Sequence, residues 1–290
     1  MNEKTVLLAD IVQSRKTVNR YEVQKKLVIV IDFLNKCYRE QLVKKVEISS
    51  GDSFQGLFNT PDAAFLYLRI IQMLMYPTKI RAGIGTGQLD YIDDTFSSNL
   101  LDGQAYHNAR NAISTISNKR AESIRLETTV KNDIQISAIN TLFDMYIKLR
   151  QIWGSRSLQI SLINELINPI SLEGTIHYLK NADPIEISLL NEIIFKSYHD
   201  SRQNEMKPNA LKKQPIINIG ELEAFSILDL TKERKYNLGN SSFVLRGVPE
   251  DIANIINTTR QNVQKYYSKS IADERKYVSE IVLQLKEIKL

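Results

Sequence analysis

Cysteine is almost missing from these 290 residues. Cys37 stands alone, so no internal disulfide can form, and its place in an apolar periodic stretch marks it as a core side chain. Histidine is scarce too, at three. His177 and His199 have no cysteine or histidine at ligand spacing, which argues against zinc. No stretch approaches the roughly 18 consecutive apolar residues of a membrane-spanning helix. The amino end, Met1 to Asp10, carries one lysine and a short apolar run that stops at an aspartate, without the long apolar region of a signal peptide. These absences point to a reducing cytoplasm and to no membrane partner. Internal repeats and low-complexity tracts are missing as well. With 43% apolar and 24% charged residues, the composition excludes a disordered or fibrous chain.

Charge is present but uneven. Residues 201–290 hold 15 Lys+Arg against 11 Asp+Glu, whereas residues 1–200 hold 23 against 22. A basic carboxyl end on a near-neutral body is the balance expected of a polyanion partner, though the excess is small.

The first third alternates strand and helix patterns. Thr5 to Ala9 is a short apolar run of the buried-strand kind. Tyr21 to Arg39 has helical spacing, with Val23, Leu27, Val30, Ile31, Leu34 and Tyr38 on one side. Lys45 to Ser49 alternates as a strand and Ser53 to Phe58 resumes one, so Gly51 and Asp52 sit at a hairpin tip. Pro61 opens a helix after Thr60 as N-cap, with Ala64, Leu68, Ile71 and Met75 as its buried stripe. Ile80 to Ile84 reads as a strand, Gly103 to Ser117 as a helix and Ser123 to Glu127 as a strand. This order predicts an α+β fold: a sandwich over 1–128 containing a ferredoxin-like core. An all-α region follows over 129–200, beginning with a long helix from Ile134 to Ile152. A polar stretch over 201–218 reads as a linker or exposed loop, and a helical segment over 219–290 closes the chain.

Asp10 and Asp52 carry the chemistry. One ends the first strand, the other sits on the hairpin that would lie beside it. Two carboxylates on neighbouring strand ends can share divalent cations, grip a triphosphate and stabilise the oxygens of a phosphoryl transfer. The competing reading is that each is an ordinary turn or cap residue. The glycine-rich run Gly83-Ile84-Gly85-Thr86-Gly87 lacks the lysine of a P-loop and reads as close backbone packing or a turn. Asp90, Asp93 and Asp94 read as a solvated acidic loop.

Four segments resemble class III nucleotide cyclases, in that family's order across roughly residues 5–115. They are Leu7 to Ser14, Gly51 to Phe58, Ile80 to Gly87 and Asp102 to Ala105. The whole layout is similar to the SatD family of bacterial proteins, which resembles a cyclase-like palm with a helix-turn-helix appended. The resemblance implies Mg²⁺ or Mn²⁺ on Asp10 and Asp52, assisted by the Ile11 carbonyl. Gly51, Ser53 and Phe54 would then shape a site for a nucleoside triphosphate. It also implies a homodimer, because cyclase sites form between two palms. Cyclases place an asparagine and an arginine one turn apart on the helix after Gly103. One alignment puts His107 and Asn111 there, the other Tyr106 and Arg110, so His107 and Arg110 are the candidate phosphate-facing groups and neither register supplies the pair. Ile48 and Leu100 stand where base-selecting residues are expected. Losing a charge-stabilising arginine costs about 10²–10³ in rate, so binding can outlive turnover.

Near the carboxyl end, Pro249 suits a helix start, Ala253 a helix crossing, and Asn257 a turn that needs positive φ. Val263 and Tyr266 would face inward on a second helix. Its exposed face would show Thr259, Arg260, Gln261, Gln264 and Lys265, types that read base edges or touch phosphates of double-stranded DNA. A plain helical hairpin with a polar exterior is the alternative. Val278, Ile281, Val282, Leu285 and Ile288 predict a last helix with a packed face. Together these readings describe a cytoplasmic regulator in which a metal- and nucleotide-binding palm controls DNA binding. The alternative is a nucleotidyl cyclase or related two-metal nucleotidyltransferase that makes a signalling nucleotide.

Overall fold

The apolar run near the amino end becomes β1 (Lys4–Ile11) in a computed structural model that describes residues 3–14, 19–93, 95–129, 133–171, 176, 178–179, 182–193, 228–229 and 247–288. The chain divides into one unit of Met1–Lys148 with Glu280–Leu290 and another of Leu149–Ser279.

In the first unit, β1 is followed by α1 (Arg20–Cys37), β2 (Leu42–Ser50), β3 (Ser53–Phe58), α2 (Pro61–Leu74), β4 (Ile80–Gly87), α3 (Gln104–Ile116) and β5 (Ser123–Thr128). The sheet order is β2-β3-β1-β4-β5. β1 lies antiparallel to both β3 and β4, and β5 runs parallel to β4. This is a five-stranded mixed sheet with a split βαβ pattern in its first four strands. β1 is central and covered on both faces, which is why it reads as an apolar run rather than an alternation. Asp10 stands opposite Ser53 on one side and Arg81 on the other.

Two elements differ from their sequence pattern. Thr60 does precede α2, but its hydroxyl makes no capping bond, and every residue from Pro61 to Leu74 is buried rather than one stripe. Rings from α4 (Asp133–Gln151) close over this helix: Phe65 stacks against Phe143 and Tyr146 at 5.2 and 5.7 Å. β4 runs on through Gly87, where the sequence suggested a turn. Its glycines let α3 approach: a Cβ on Gly85 would lie 2.1 Å from the Ala109 nitrogen and 2.3 Å from the Ala105 carbonyl oxygen. Close packing is the reading that fits. Cys37 is half-buried at the end of α1.

The second unit holds α5 (Ser155–Ile167), β6 (Ile170–Ser171), α6 (Pro184–Glu192), β7 (Leu228–Asp229), α7 (Val248–Ile255), α8 (Arg260–Tyr266) and a π-helical turn (Tyr267–Ile271). The last helix, α9 (Ala272–Lys286), begins here. β6 and β7 pair in parallel, a strand contact the sequence did not announce because two-residue strands have no period to read. α6 starts with a capping box in which Asp183 accepts from Ile185 and Glu186 and the Glu186 carboxylate accepts from Asp183. The apolar stripe of α9 is buried from Val278 to Ile288, as its spacing predicts. Among the described residues, no helix is long and apolar enough to cross a membrane. The expected linker over 201–218, together with Asp94, His177 and His199, lies outside the described residues.

Candidate functional site at the β1 and β3 strand ends

The hairpin between β2 and β3 folds its tip against the end of β1. Gly51 takes a φ of +50°, a left-handed turn position that favours glycine, and the Ile11 backbone N–H donates to the Asp52 carbonyl at 3.1 Å. This bond, with Asp10 opposite Ser53, sets the two aspartates on neighbouring strand ends. The Ser14 hydroxyl donates to Asp52 Oδ2. Gln24 of α1 donates to the Gly51 carbonyl at 2.7 Å and ties the tip to the helix. Ile11, Ser14, Arg20, Val23, Gln24 and Asp52 line a small cleft.

Asp10 is not a bare carboxylate. Arg81 grips it side-on, with Nε donating to Oδ1 and Nη2 to Oδ2, each at 2.9 Å. The remaining guanidinium nitrogen donates to the Ser117 and Lys119 carbonyls at the end of α3. The cleft itself is lined by one carboxylate, Asp52, and one cation, Arg20, while the Asp10–Arg81 pair lies outside its lining. Among the described residues, Arg20 has no acidic partner, and its Nη2 lies 3.1 Å from where a Gly51 Cβ would stand. Arg81, Ser14 and Arg20 are the residues that sequence reasoning passed over. Arg81 and Ser14 fall inside the quoted segments, yet their contacts depend on strand register and loop closure, which no local pattern displays.

The other candidate ligand residues take different positions. Ile11 is buried and its N–H is used by the hairpin, while Ser53 sits beside Asp10. Phe54 is wholly buried, so it supports the hairpin from within and does not face a ligand. A metal fit follows from the donor chemistry. Each aspartate keeps oxygen lone pairs beyond the bonds it accepts, and hard oxygen donors suit Mg²⁺ or Mn²⁺. Among the described residues, no group of three or more His, Cys, Asp or Glu could hold a metal. A cation here would thus take its remaining ligands from backbone, water and phosphate, the usual situation for Mg²⁺ on a nucleotide.

His107 and Arg110 are elsewhere. Both lean toward Asp102, with Arg110 Nη1 at 3.4 Å and His107 Nε2 at 3.9 Å from Oδ1. The Gly103 backbone N–H, ahead of the neighbouring Arg110 and His107, holds the Asp102 carboxyl below its usual range. Since α3 runs back along β4, Ser117 lies by Arg81 while Ala105 and Ala109 lie by Gly85. In this structure His107 and Arg110 lean to Asp102 and not to Asp10 or Asp52.

In the second unit, α7 ends where the Thr258 N–H reaches the Ala253 carbonyl at 2.9 Å, and Asn257 takes a φ of +47°. That is a Schellman closure with asparagine in the left-handed position the sequence assigned to it. Thr259 caps α8 by accepting from the Asn262 N–H at 3.2 Å. Thr259, Arg260, Gln261 and Lys265 are exposed, while Gln264 is partly covered. Val263 is buried as expected, but its inward companion is Tyr267 and not Tyr266.

A five-stranded mixed sheet with helices, carrying carboxylates and arginines at one end and followed by a helical part, is the class of protein this fold defines. The sequence model of the SatD family matches residues 5–191, and the chain belongs to that family. No curated protein matches it. Among solved structures, a bacterial light-regulated adenylyl cyclase is similar at 15% identity and a TM-score of 0.30, over 42% of each chain. The match thus spans less than half of that protein, and a likeness of this size fixes neither activity nor ligand.

Proposed function

We propose that this SatD-family chain is a cytoplasmic regulator with two working parts. Its sheet unit is a cyclase-like palm that binds a nucleoside triphosphate with Mg²⁺ or Mn²⁺. Its α7–α8 pair is a helix-turn-helix for double-stranded DNA. The observation that carries the first part is the placement of Asp10 and Asp52 on adjacent strand ends, held by the Ile11–Asp52 backbone bond. In this reading both carboxylates hold the cation, and the bound cation neutralises phosphate charge. Arg20 adds positive charge on the α1 side of the cleft. Gly51 lets the hairpin turn tightly enough to bring its backbone near the phosphates.

The DNA part is supported by the Asn257 closure and by the exposed Thr259, Arg260, Gln261 and Lys265 on α8, with Gln264 beside them. The expectation of regulator over enzyme rests on α3. Its only arginine, Arg110, pairs with Asp102, and no asparagine–arginine pair stands one turn apart. The runner-up, a nucleotidyl cyclase or nucleotidyltransferase, draws on the same two carboxylates.

The deciding experiment incubates the purified chain with mixed nucleoside triphosphates and Mg²⁺ or Mn²⁺, and follows retained ligands and new products by mass spectrometry. The expected result is an intact triphosphate retained only with metal, and lost in Asp52→Asn. A cyclic or oligonucleotide product absent from the variant would make the chain an enzyme. No ligand and no product would reduce the two aspartates to turn residues. DNA binding is read separately on random duplex. Affinity should fall linearly with log salt and weaken in Arg260→Ala; a flat salt response with no loss in the variant removes the DNA claim.

A further inference from the structure

Asp10 and Arg81 stand directly opposite each other in the β1–β4 register, so the strand pairing itself brings the two side chains together. Arg81 Nε and Nη2 donate to the two oxygens of Asp10, each at 2.9 Å, and Nη1 donates to the Ser117 and Lys119 carbonyls. All three guanidinium nitrogens are thus engaged. Two hold the carboxylate, and one lies at the carboxyl end of α3, where the helix dipole also favours a cation. The pair is nevertheless open to solvent. The side chains of Arg81 and Asp10 are 14% and 23% exposed, so an ion from solution can reach the carboxylate.

Asp10 and Asp52 are therefore unequal ligands. Asp52 accepts the hydroxyl of Ser14, a neutral donor that leaves the carboxylate charge in place. Asp10 accepts from a permanent cation, since guanidinium does not shed its proton in a protein. Each Asp10 oxygen keeps a lone pair beyond the bond from Arg81, so it can still take a metal ion. That ion would meet a carboxylate whose charge is already balanced, with a guanidinium of like sign beside it.

We infer that Arg81 is a built-in competitor for the cation at Asp10: it weakens the site for a free divalent ion without removing Asp10 from it. This deepens the proposed function and rests on its reading of Asp10 as a metal ligand. A site balanced in this way holds the bare ion loosely and relies on phosphate oxygens to complete the cation's shell. A competitor and a strut differ in sign. If Arg81 only joined β4 to α3 and held Asp10 in place, its removal would loosen the carboxylate and weaken metal binding. Removal of a competitor leaves a site that binds metal more tightly.

The test titrates Mn²⁺ into the full chain without nucleotide and follows the free ion by its electron paramagnetic resonance signal. Arg81→Gln, checked for folding by circular dichroism, should bind Mn²⁺ more tightly than the wild type by about tenfold or more. The gain should vanish when Asp10→Asn is added, which locates it at this carboxylate. Arg81→Lys keeps the charge but not the fork, and should tighten binding by a smaller factor. Equal or weaker binding in Arg81→Gln, or a gain that survives Asp10→Asn, overturns the inference. If the glutamine variant fails to fold, the lysine variant decides: tighter binding lost with Asp10→Asn supports it, unchanged or weaker binding overturns it. A chain that retains triphosphate with metal yet gains nothing in Arg81→Gln keeps the proposed function and loses the competitor. Absence of triphosphate retention removes the nucleotide reading and leaves the comparison of metal affinities standing.

Discussion

Single residues here owe their roles to partners far away in sequence. Asp10 and Asp52 were readable because each stands at a strand end beside turn-forming residues, a local signal. That Asp10 is already gripped by Arg81 was not readable, because the pairing depends on which strand lies beside β1. Tyr67 shows the same limit. It is wholly buried on α2, and its hydroxyl lies 3.4 Å from both the Ile31 carbonyl and Asn35 Oδ1. Burial chiefly, with Tyr38, Cys37 and Asp32 adding to it, raises its pKa well above the ordinary tyrosine range. The folded state therefore holds this proton more tightly than the unfolded chain does. Its contribution is intact below the unfolded value of about 10 and is lost as pH rises toward the folded one. Thermal unfolding should move to lower temperature as pH rises above about 10, and Tyr67→Phe should flatten that decline. An equal decline in the variant would place the alkaline sensitivity in other groups.

At the scale of elements, the decisive contact is α3 on β4. Their glycine run was legible as close packing because it lacks a phosphate-binding lysine. Which backbone approaches it was not legible. Gly85→Ala would drive a methyl group into the Ala109 nitrogen and the Ala105 carbonyl, backbone atoms that cannot swing aside. We expect a loss of about 3 kcal/mol or more, at the upper end for overpacking, measured by urea unfolding. A loss under about 1 kcal/mol would mean that α3 moves away easily. The turn between α7 and α8 offers a contrasting case. Asn257→Gly should be nearly neutral and Asn257→Ala should cost about 1 kcal/mol, since only the alanine is strained at φ +47°. Equal melting temperatures for both variants would contradict that closure. The inward tyrosine of α8 was misassigned by one position because residues three and four apart both lie near one helix face. Periodicity alone does not choose between Tyr266 and Tyr267. The all-round burial of α2 escaped the sequence for a related reason. A pattern of apolar residues marks a face, whereas coverage by Phe143 and Tyr146 comes from α4, beyond the reach of any local window.

At the scale of the whole molecule, the separation of Arg110 from the two aspartates has a consequence for assembly. The Arg110 side chain, from the middle of α3, reaches back to Asp102, whereas Arg81, which grips Asp10, bonds the Ser117 carbonyl at the α3 end. If both ends act on one triphosphate, they must come from different chains, and a symmetric pair would form two such sites. Co-expression of two differently tagged variants tests this. Asp52→Asn alone removes the metal side of every site, and Arg110→Ala alone removes the arginine side. In mixed dimers, one site combines both damaged sides and the other combines both intact sides. Random pairing then restores about one quarter of the wild-type sites. Metal-dependent triphosphate retention near that fraction would establish a shared site. Two inactive parents whose mixture stays inactive, from a chain that elutes as a dimer, would place both groups in the site of a single chain. Full retention by Arg110→Ala alone would assign that arginine only to its bond with Asp102. Any homodimer would then serve another purpose, and spacing two α8 helices along DNA is the one the proposed function offers.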